Sequence, residues 1–328
     1  MKPNSIPIID IGKLNSTSEA SEVANDIAKV CREHGFFYIK NHGVSVELQQ
    51  RMEVLSRSFF AQPVHEKMKI AMLKAGKAWR GYFPLHGELT SGMPDRKEGI
   101  YFGTELSNED PRVQNGLPLH GPNLFPENPP GFKETVLEYM DAVTQVGHAV
   151  MKGVSLSLGL PANYFYTKYG VEPLILFRIF HYPAQAEEQH EWGVGEHTDY
   201  GLLTILLQDA VGGLQVKSRG EWIEAPPVEN TFICNIGDML EKMTGGLYRS
   251  TPHRVLNKSG KDRLSFPLFF DPGFDTVIEP IKNIDTSLLT NHEPRWDGAN
   301  VHQFGGTYGE YLLNKVSKVF PDLKQQVL

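Results

Sequence analysis

Apolar residues in the first half of the chain recur at intervals of three and four. Val23, Ile27, Val30 and Cys31 form one such stripe, and Leu48, Met52, Leu55 and Phe59 a second. A third and longer one runs through Val136, Tyr139, Val143, Val146, Val150 and Val154. Each predicts a helix with one buried face. Ser16 and Glu19 stand in capping-box relation ahead of the first helix, and His34-Gly35 ends it. Pro63 suits the first turn of a short helix after the second stripe, and Gly159 and Pro161 close the longest one. Residues 6–11 and 36–39 are apolar enough for short strands. After Pro173 the period drops to two. Residues 174–182, 202–207, 214–216, 231–236, 253–256 and 263–270 are predicted strands, with turns at Gly212-Gly213, Arg219-Gly220 and Ser259-Gly260. A run of short strands implies a sandwich or barrel, and a jelly roll can hold a metal between its sheets. The expectation is a mainly β protein with flanking helices. Residues 74–130 follow neither period. Their aromatic content argues against disorder, and they are expected to cover a site. A last helix is expected over 308–319.

Bulk properties narrow the class. At 328 residues the chain can build one large domain or two closely packed ones. Its 40% hydrophobic and 22% charged content is that of an ordinary globular protein. A net charge of −7 argues against nucleic acid as the main partner. No secretory signal and no stretch able to cross a bilayer is visible, so a cytoplasmic location is expected. Cys31 and Cys234 fit two buried, reduced thiols.

The chemistry concentrates between Glu196 and Ser265. His197 and Asp199 are two apart, so on extended backbone both side chains leave one face. His253 follows 54 positions after Asp199 and can return on a facing strand. Two imidazoles and a carboxylate form the facial triad of a non-haem Fe(II) site, although zinc accepts the same donors. Arg263 lies ten positions past His253, with Ser265 on the same face. Its apolar flanks place it in the interior, where a guanidinium needs a partner such as a ligand carboxylate. In 174–182 the alternation sets Arg178, Phe180 and Tyr182 on one face and Ile175, Phe177, Ile179 and His181 on the other. His181 is expected to satisfy a structural hydrogen bond. Arg80, Tyr82, Glu88 and Tyr101 combine charge and aromatic surface where a cover should lie, and are the substrate candidates.

The ordered set of H-x-D, a distal His and R-x-S resembles the 2-oxoglutarate/Fe(II)-dependent dioxygenase superfamily. The branch is that of isopenicillin N synthase and the plant soluble oxygenases. The opening Ile6-Pro7-Ile8-Ile9-Asp10, the stretch from Gly35 to Gly43 and the stretch from His197 to Val216 carry the resemblance over nearly the full length. It implies a distorted double-stranded β-helix, a jelly roll of the cupin kind. It also implies Fe(II) on His197, Asp199 and His253, with O2 as oxidant and 2-oxoglutarate held by Arg263, Ser265 and Tyr182. Phe180 departs from the asparagine frequent at its position, which removes one polar contact. Arg178 is left between the cosubstrate, a substrate carboxylate and a core acid. The segment Asp95-Arg96-Lys97-Glu98 resembles a structural ion-pairing motif. Glu88, shortly after Gly81-Tyr82, resembles an acid carried by members that act on arginine or related amino acids.

The domain expectation has four parts: an N-terminal region with substrate-covering loops (1–125), a scaffold helix (126–172), the Fe(II)/2-oxoglutarate core (173–275) and a C-terminal tail with a helix (276–328). The expected reaction turns 2-oxoglutarate into succinate and CO2 while oxidising a small molecule, by default through hydroxylation. An amino acid such as arginine is one candidate. Ascorbate is a candidate activator of this reaction. The alternatives are an iron-dependent oxidase that does not consume 2-oxoglutarate and draws its electrons from the substrate or ascorbate, an ethylene- and succinate-forming enzyme, and a non-catalytic binding protein. No motif separates hydroxylation from desaturation or ring closure, and none reports the oligomeric state.

Overall fold

The alternating strands of the second half form two sheets that face each other. This computed structural model describes residues 5–16, 18–90, 92–185, 191–218, 220–282, 284–285, 287, 297–298 and 300–320. The chain begins with β1 (Ile8–Asp10), α1 (Ala20–Glu33), β2 (Phe36–Lys40), α2 (Val46–Phe60) and α3 (Val64–Lys67). Next come β3 (Gly81–Phe83), β4 (Leu89–Thr90), β5 (Met93–Pro94), β6 (Glu98–Gly103), α4 (Pro111–Gln114) and α5 (Phe132–Ser157). The core strands are β7 (Leu174–Tyr182), β8 (Val194–His197), β9 (Leu203–Gln208), β10 (Leu214–Ser218), β11 (Glu221–Glu224) and β12 (Phe232–Ile236). After α6 (Asp238–Met243) follow β13 (His253–Val255), β14 (Arg263–Asp271) and α7 (Tyr308–Val319). The larger sheet has the order β1-β2-β12-β9-β14-β7-β6-β3 and the smaller β11-β10-β13-β8. This is the jelly-roll core, extended at both edges of the larger sheet by strands from the N-terminal half.

Alternation in β14 decides which side chains meet the space between the sheets. Arg263, Ser265, Pro267, Phe269 and Asp271 line that space, while the intervening Leu264, Phe266, Leu268 and Phe270 are buried in the core. On the outer face α5 packs against β9 and β14. Its six stripe residues from Val136 to Val154 are all buried, each contributing about 1.5–3 kcal/mol of transfer free energy before entropy is subtracted. Gly147 permits the approach, since a Cβ there would fall 2.4 Å from the Phe270 ring.

The structure corrects several expectations. Ser16 and Glu19 form no capping box: Glu19 makes no side-chain cap bond, and the Ser16 hydroxyl pairs with that of Ser18. Ser16 instead closes a 3-10 turn over Ile11–Asn15, so it is not available to start α1. A capping box does form at α7, between Thr307 and Glu310. Residues 74–130 are not simply a cover. β3 and β6 extend the larger sheet, and β6 is buried throughout despite Glu98. Burial would raise the Glu98 carboxyl, but His181, Lys67 and Tyr82 all hydrogen-bond to it and hold it below the usual range. These bonds carry the structural role expected of His181 and Glu98, and in the rest of the segment Lys97 pairs with Asp95 and Arg96 with Glu191. Composition does not predict β8 or β11. Gly212, Gly213, Gly220 and Gly260 all take positive φ, as turns there require, and Arg219 lies outside the described residues. Cys31 and Cys234 are buried and free. No helix among the described residues is long and apolar enough to cross a membrane.

Candidate active site

β8 and β13 are paired neighbours, with His253 opposite His197. The two imidazole centroids are 4.1 Å apart. Asp199 follows β8 on the same face, and its Oδ1 lies 3.8 Å from His197 Nε2 and 3.7 Å from His253 Nε2. One ligand atom from each residue falls within 4.8 Å of the others. Nδ1 of His197 is 2.8 Å from the Gly195 carbonyl, and Nδ1 of His253 is 3.2 Å from that of Thr251. A carbonyl only accepts, so both protons sit on Nδ1 and both Nε2 lone pairs face inward. Asp199 Oδ2 is engaged by the Thr204 hydroxyl at 2.5 Å and the Asn235 amide at 2.7 Å, which leaves Oδ1 for a cation. Burial, then the neighbouring His197, pushes His253 down to about 4 against the attraction of Asp199. Burial alone would raise Asp199, but the two imidazoles and the Asn235 and Thr204 bonds hold it below the usual carboxylate range. The donor set therefore fits a divalent metal without further rearrangement of protons.

Arg263 starts β14 opposite Tyr182 at the end of β7, on the larger sheet. It is fully buried. Its Nη2 donates to Gln208 Oε1 at 3.2 Å, whereas Nε and Nη1 have no partner among the described residues. The Tyr182 ring centroid is 4.7 Å from its guanidinium carbon, and the Ser265 and Tyr182 hydroxyls are 3.4 Å apart. All three residues line one cavity of about 550 Å³ with His197, Asp199 and His253. A cation and two hydroxyls thus share that cavity with the metal donors, an arrangement suited to a bound carboxylate.

The substrate candidates divide. Glu88 and Tyr101 line the cavity, as do Arg178 and Phe180. Arg178 Nη1 donates to the carbonyls of Phe102 and Phe177, and its guanidinium stacks 3.5 Å from the Tyr101 ring centroid. Tyr101 donates in turn to Glu88 Oε1 at 2.5 Å. Arg80 and Tyr82 are not in the cavity. Tyr82 is core, its hydroxyl bonded to Glu98 and its ring 5.4 Å from Lys67 Nζ. Arg80 turns toward Leu119 instead. The cavity also has groups that were not among the expected site residues. Lys97 lies between Asp95 at 2.5 Å and Glu88 at 3.1 Å, and α7 adds Leu312, Lys315 and Val316. Asn235 and Thr204, polar residues within apolar strands, carried the available signal for an inward role.

Comparison with known proteins agrees with this geometry. Residues 6–128 match the family described as non-haem dioxygenase in morphine synthesis N-terminal, and residues 173–272 match the 2OG-Fe(II) oxygenase superfamily. A Dictyostelium discoideum protein named "Probable iron/ascorbate oxidoreductase" is 52% identical over 353 residues, covering 98% of this chain and 97% of that protein. The chain belongs to the 2OG-Fe(II) oxygenase superfamily. It is accordingly a non-haem iron oxidoreductase of a family that uses Fe(II), 2-oxoglutarate and O2 on small molecules. A 1-aminocyclopropane-1-carboxylate oxidase of D. discoideum is 42% identical, covering 97% of this chain and 95% of that protein. A homoarginine-6-hydroxylase of Glycine max is 39% identical, covering 98% of each. Among solved structures, a full-length Neurospora crassa protein in complex with alpha-KG and thymine superposes on this oxygenase with a TM-score of 0.79 at 27% identity, covering 97% of this chain and 98% of that one.

Proposed function

We propose that this oxygenase hydroxylates a free amino acid with a cationic side chain, arginine or a homologue such as homoarginine. His197 Nε2, His253 Nε2 and Asp199 Oδ1 would hold Fe(II), and Arg263, Ser265 and Tyr182 the distal carboxylate of 2-oxoglutarate. Bound together, the metal and cosubstrate supply oxidising power from O2 as 2-oxoglutarate is decarboxylated to succinate and CO2. The chain's own residues bind, orient and keep water out. The observation that carries the cosubstrate reading is the pair of unpartnered Arg263 nitrogens in the cavity that holds the three metal donors. The substrate reading rests on charge. Glu88 is a buried carboxylate that lines the cavity beside Lys97 and can meet a cationic side chain there. The homoarginine hydroxylase relatives support the same class. Arg178, which makes no ion pair among the described residues, is assigned the substrate's carboxylate.

The division of labour follows the chain. Residues 173–275 carry metal and cosubstrate, residues 1–125 supply Glu88 and Tyr101, residues 126–172 brace the sheet, and within 276–328 it is α7 that adds to the cavity wall. Ascorbate as activator is supported by the relative named for iron and ascorbate. Free buried cysteines and a net charge of −7 support a reducing, cytoplasmic setting and a small-molecule rather than nucleic-acid partner.

The test is release of labelled succinate from 2-oxoglutarate across a panel of amino acids. Homoarginine or arginine should stimulate release about tenfold over neutral amino acids. Glu88→Gln should raise KM for the cationic amino acid about tenfold and leave KM for 2-oxoglutarate unchanged. A flat panel refutes the substrate class. The relative named 1-aminocyclopropane-1-carboxylate oxidase favours a second reading, an oxidase that spares 2-oxoglutarate. Substrate oxidation without succinate would establish that reading instead.

A further inference from the structure

A second cavity, of about 830 Å³, opens where β6 ends and β7 begins, and none of the three metal-donor residues lines it. Arg80 forms part of its wall and is only 1% exposed. Nη2 donates to the Leu119 carbonyl at 2.7 Å, while Nε and Nη1 have no partner among the described residues. A buried cation with unpaired donors is strongly unfavourable unless something else completes it. The backbone around the contact is also strained. Trp79, just before Arg80, has φ 53, and Leu119, which accepts the bond, has φ 65. Neither is a glycine, and bulky residues rarely occupy this left-handed region. Gly103 completes the cradle. A Cβ there would fall 2.1 Å from Arg80 Nη2, so the guanidinium fills the space of a missing side chain.

The cavity's remaining lining selects the ligand class. Leu117, Leu119, Met140 and Leu174 give it an aliphatic wall. Glu105, Asp141, Glu172 and Asp275 also line it, and would repel a second negative charge. Arg112, the other arginine of the lining, is already paired with Asp110 and Glu172. Burial, and then the charge of Arg178, pushes Arg80 down to about 9 against the attraction of Glu105, so it remains a cation at neutral pH, and Glu105 makes no hydrogen bond to it. We propose that this second cavity binds a small organic monoanion, with its carboxylate on Arg80 and its aliphatic part on Leu117, Leu119, Met140 and Leu174.

The test uses the full-length chain loaded with Fe(II) and excess 2-oxoglutarate in the absence of oxygen. Sodium butyrate and inorganic phosphate are titrated separately at matched ionic strength while the melting temperature is followed. Butyrate should raise it saturably by about 2–4 °C, and phosphate should not. Arg80→Met should abolish the butyrate response. No response in the parent, an undiminished response in Arg80→Met, or an equal response to phosphate overturns the proposal. Should Arg80→Met fail to fold, Leu117→Trp, which narrows the cavity and keeps the guanidinium, decides by the same criterion.

Discussion

Arg263 and Arg80 are buried alike, and in each the same two nitrogens, Nε and Nη1, lack a partner among the described residues. Each makes one polar contact through Nη2, to the Gln208 side chain and to the Leu119 carbonyl respectively. Their settings differ. Arg263 stands at the start of a regular strand, with Ser265 and Tyr182 hydroxyls beside it and three metal donors in the same cavity. Arg80 follows a left-handed tryptophan in a region without period, and its cavity has aliphatic walls and acids but none of the three metal donors. An unpaired buried guanidinium therefore marks a place for an anion in both. Only the company it keeps makes one of those places a reaction centre.

Removing that company should have the largest effect. His197→Ala deletes one of three metal donors, and iron affinity should fall by at least about 100-fold, with turnover lost alongside it. Arg80→Met should retain both iron and turnover. Metal analysis of the two purified variants checks this, and full iron occupancy in His197→Ala would remove the metal site from the account.

Next in size is the cosubstrate. Hydrogen bonds to a charged group are worth about 1.5–3 kcal/mol, so Arg263→Met should raise KM for 2-oxoglutarate about 10–100-fold with iron content near normal. The same change at Arg80 should move that KM less than twofold. Equal effects from both substitutions would erase the distinction between the two cavities.

How far each region was legible in the sequence follows the same contrast. Period-two alternation located β7 at its observed bounds and β14 to within one residue, and with them the inward face carrying Arg263, Ser265, Arg178 and Tyr182. The spacing of His197, Asp199 and His253 required only that two short strands lie side by side, as β8 and β13 do. β8 itself carried no strand signal, because it is only four residues long, follows Gly193 and is interrupted by Gly195. Gly193 is needed there, since a Cβ would fall 2.6 Å from the Tyr182 ring. β6 was hidden for another reason. Its buried Glu98 looks like loop chemistry until Lys67, Tyr82 and His181 are seen around it, and those partners are up to 83 positions away. Local sequence places Arg80 in the catalytic cavity because only its near neighbours can be read there. Its turn toward Leu119 depends on two left-handed residues and on Gly103, none of which composition reveals.

The smallest expected effect concerns stability without ligand. In the chain free of 2-oxoglutarate and of small anions, each guanidinium is an unpaired buried charge. Replacing such a group with an apolar side chain of similar length is commonly neutral or stabilising. Arg80→Met and Arg263→Met should therefore each leave the urea midpoint unchanged or raise stability by up to about 2 kcal/mol. Ligand should then separate them. Excess 2-oxoglutarate with Fe(II) stabilises the parent and Arg80→Met by mass action, reaching about 2.7 kcal/mol at 100 times Kd, while Arg263→Met forgoes most of that gain. If Arg80→Met instead loses more than about 2 kcal/mol without ligand, its guanidinium braces the Leu119 turn, and the second cavity holds a structural cation rather than a vacant counter-charge.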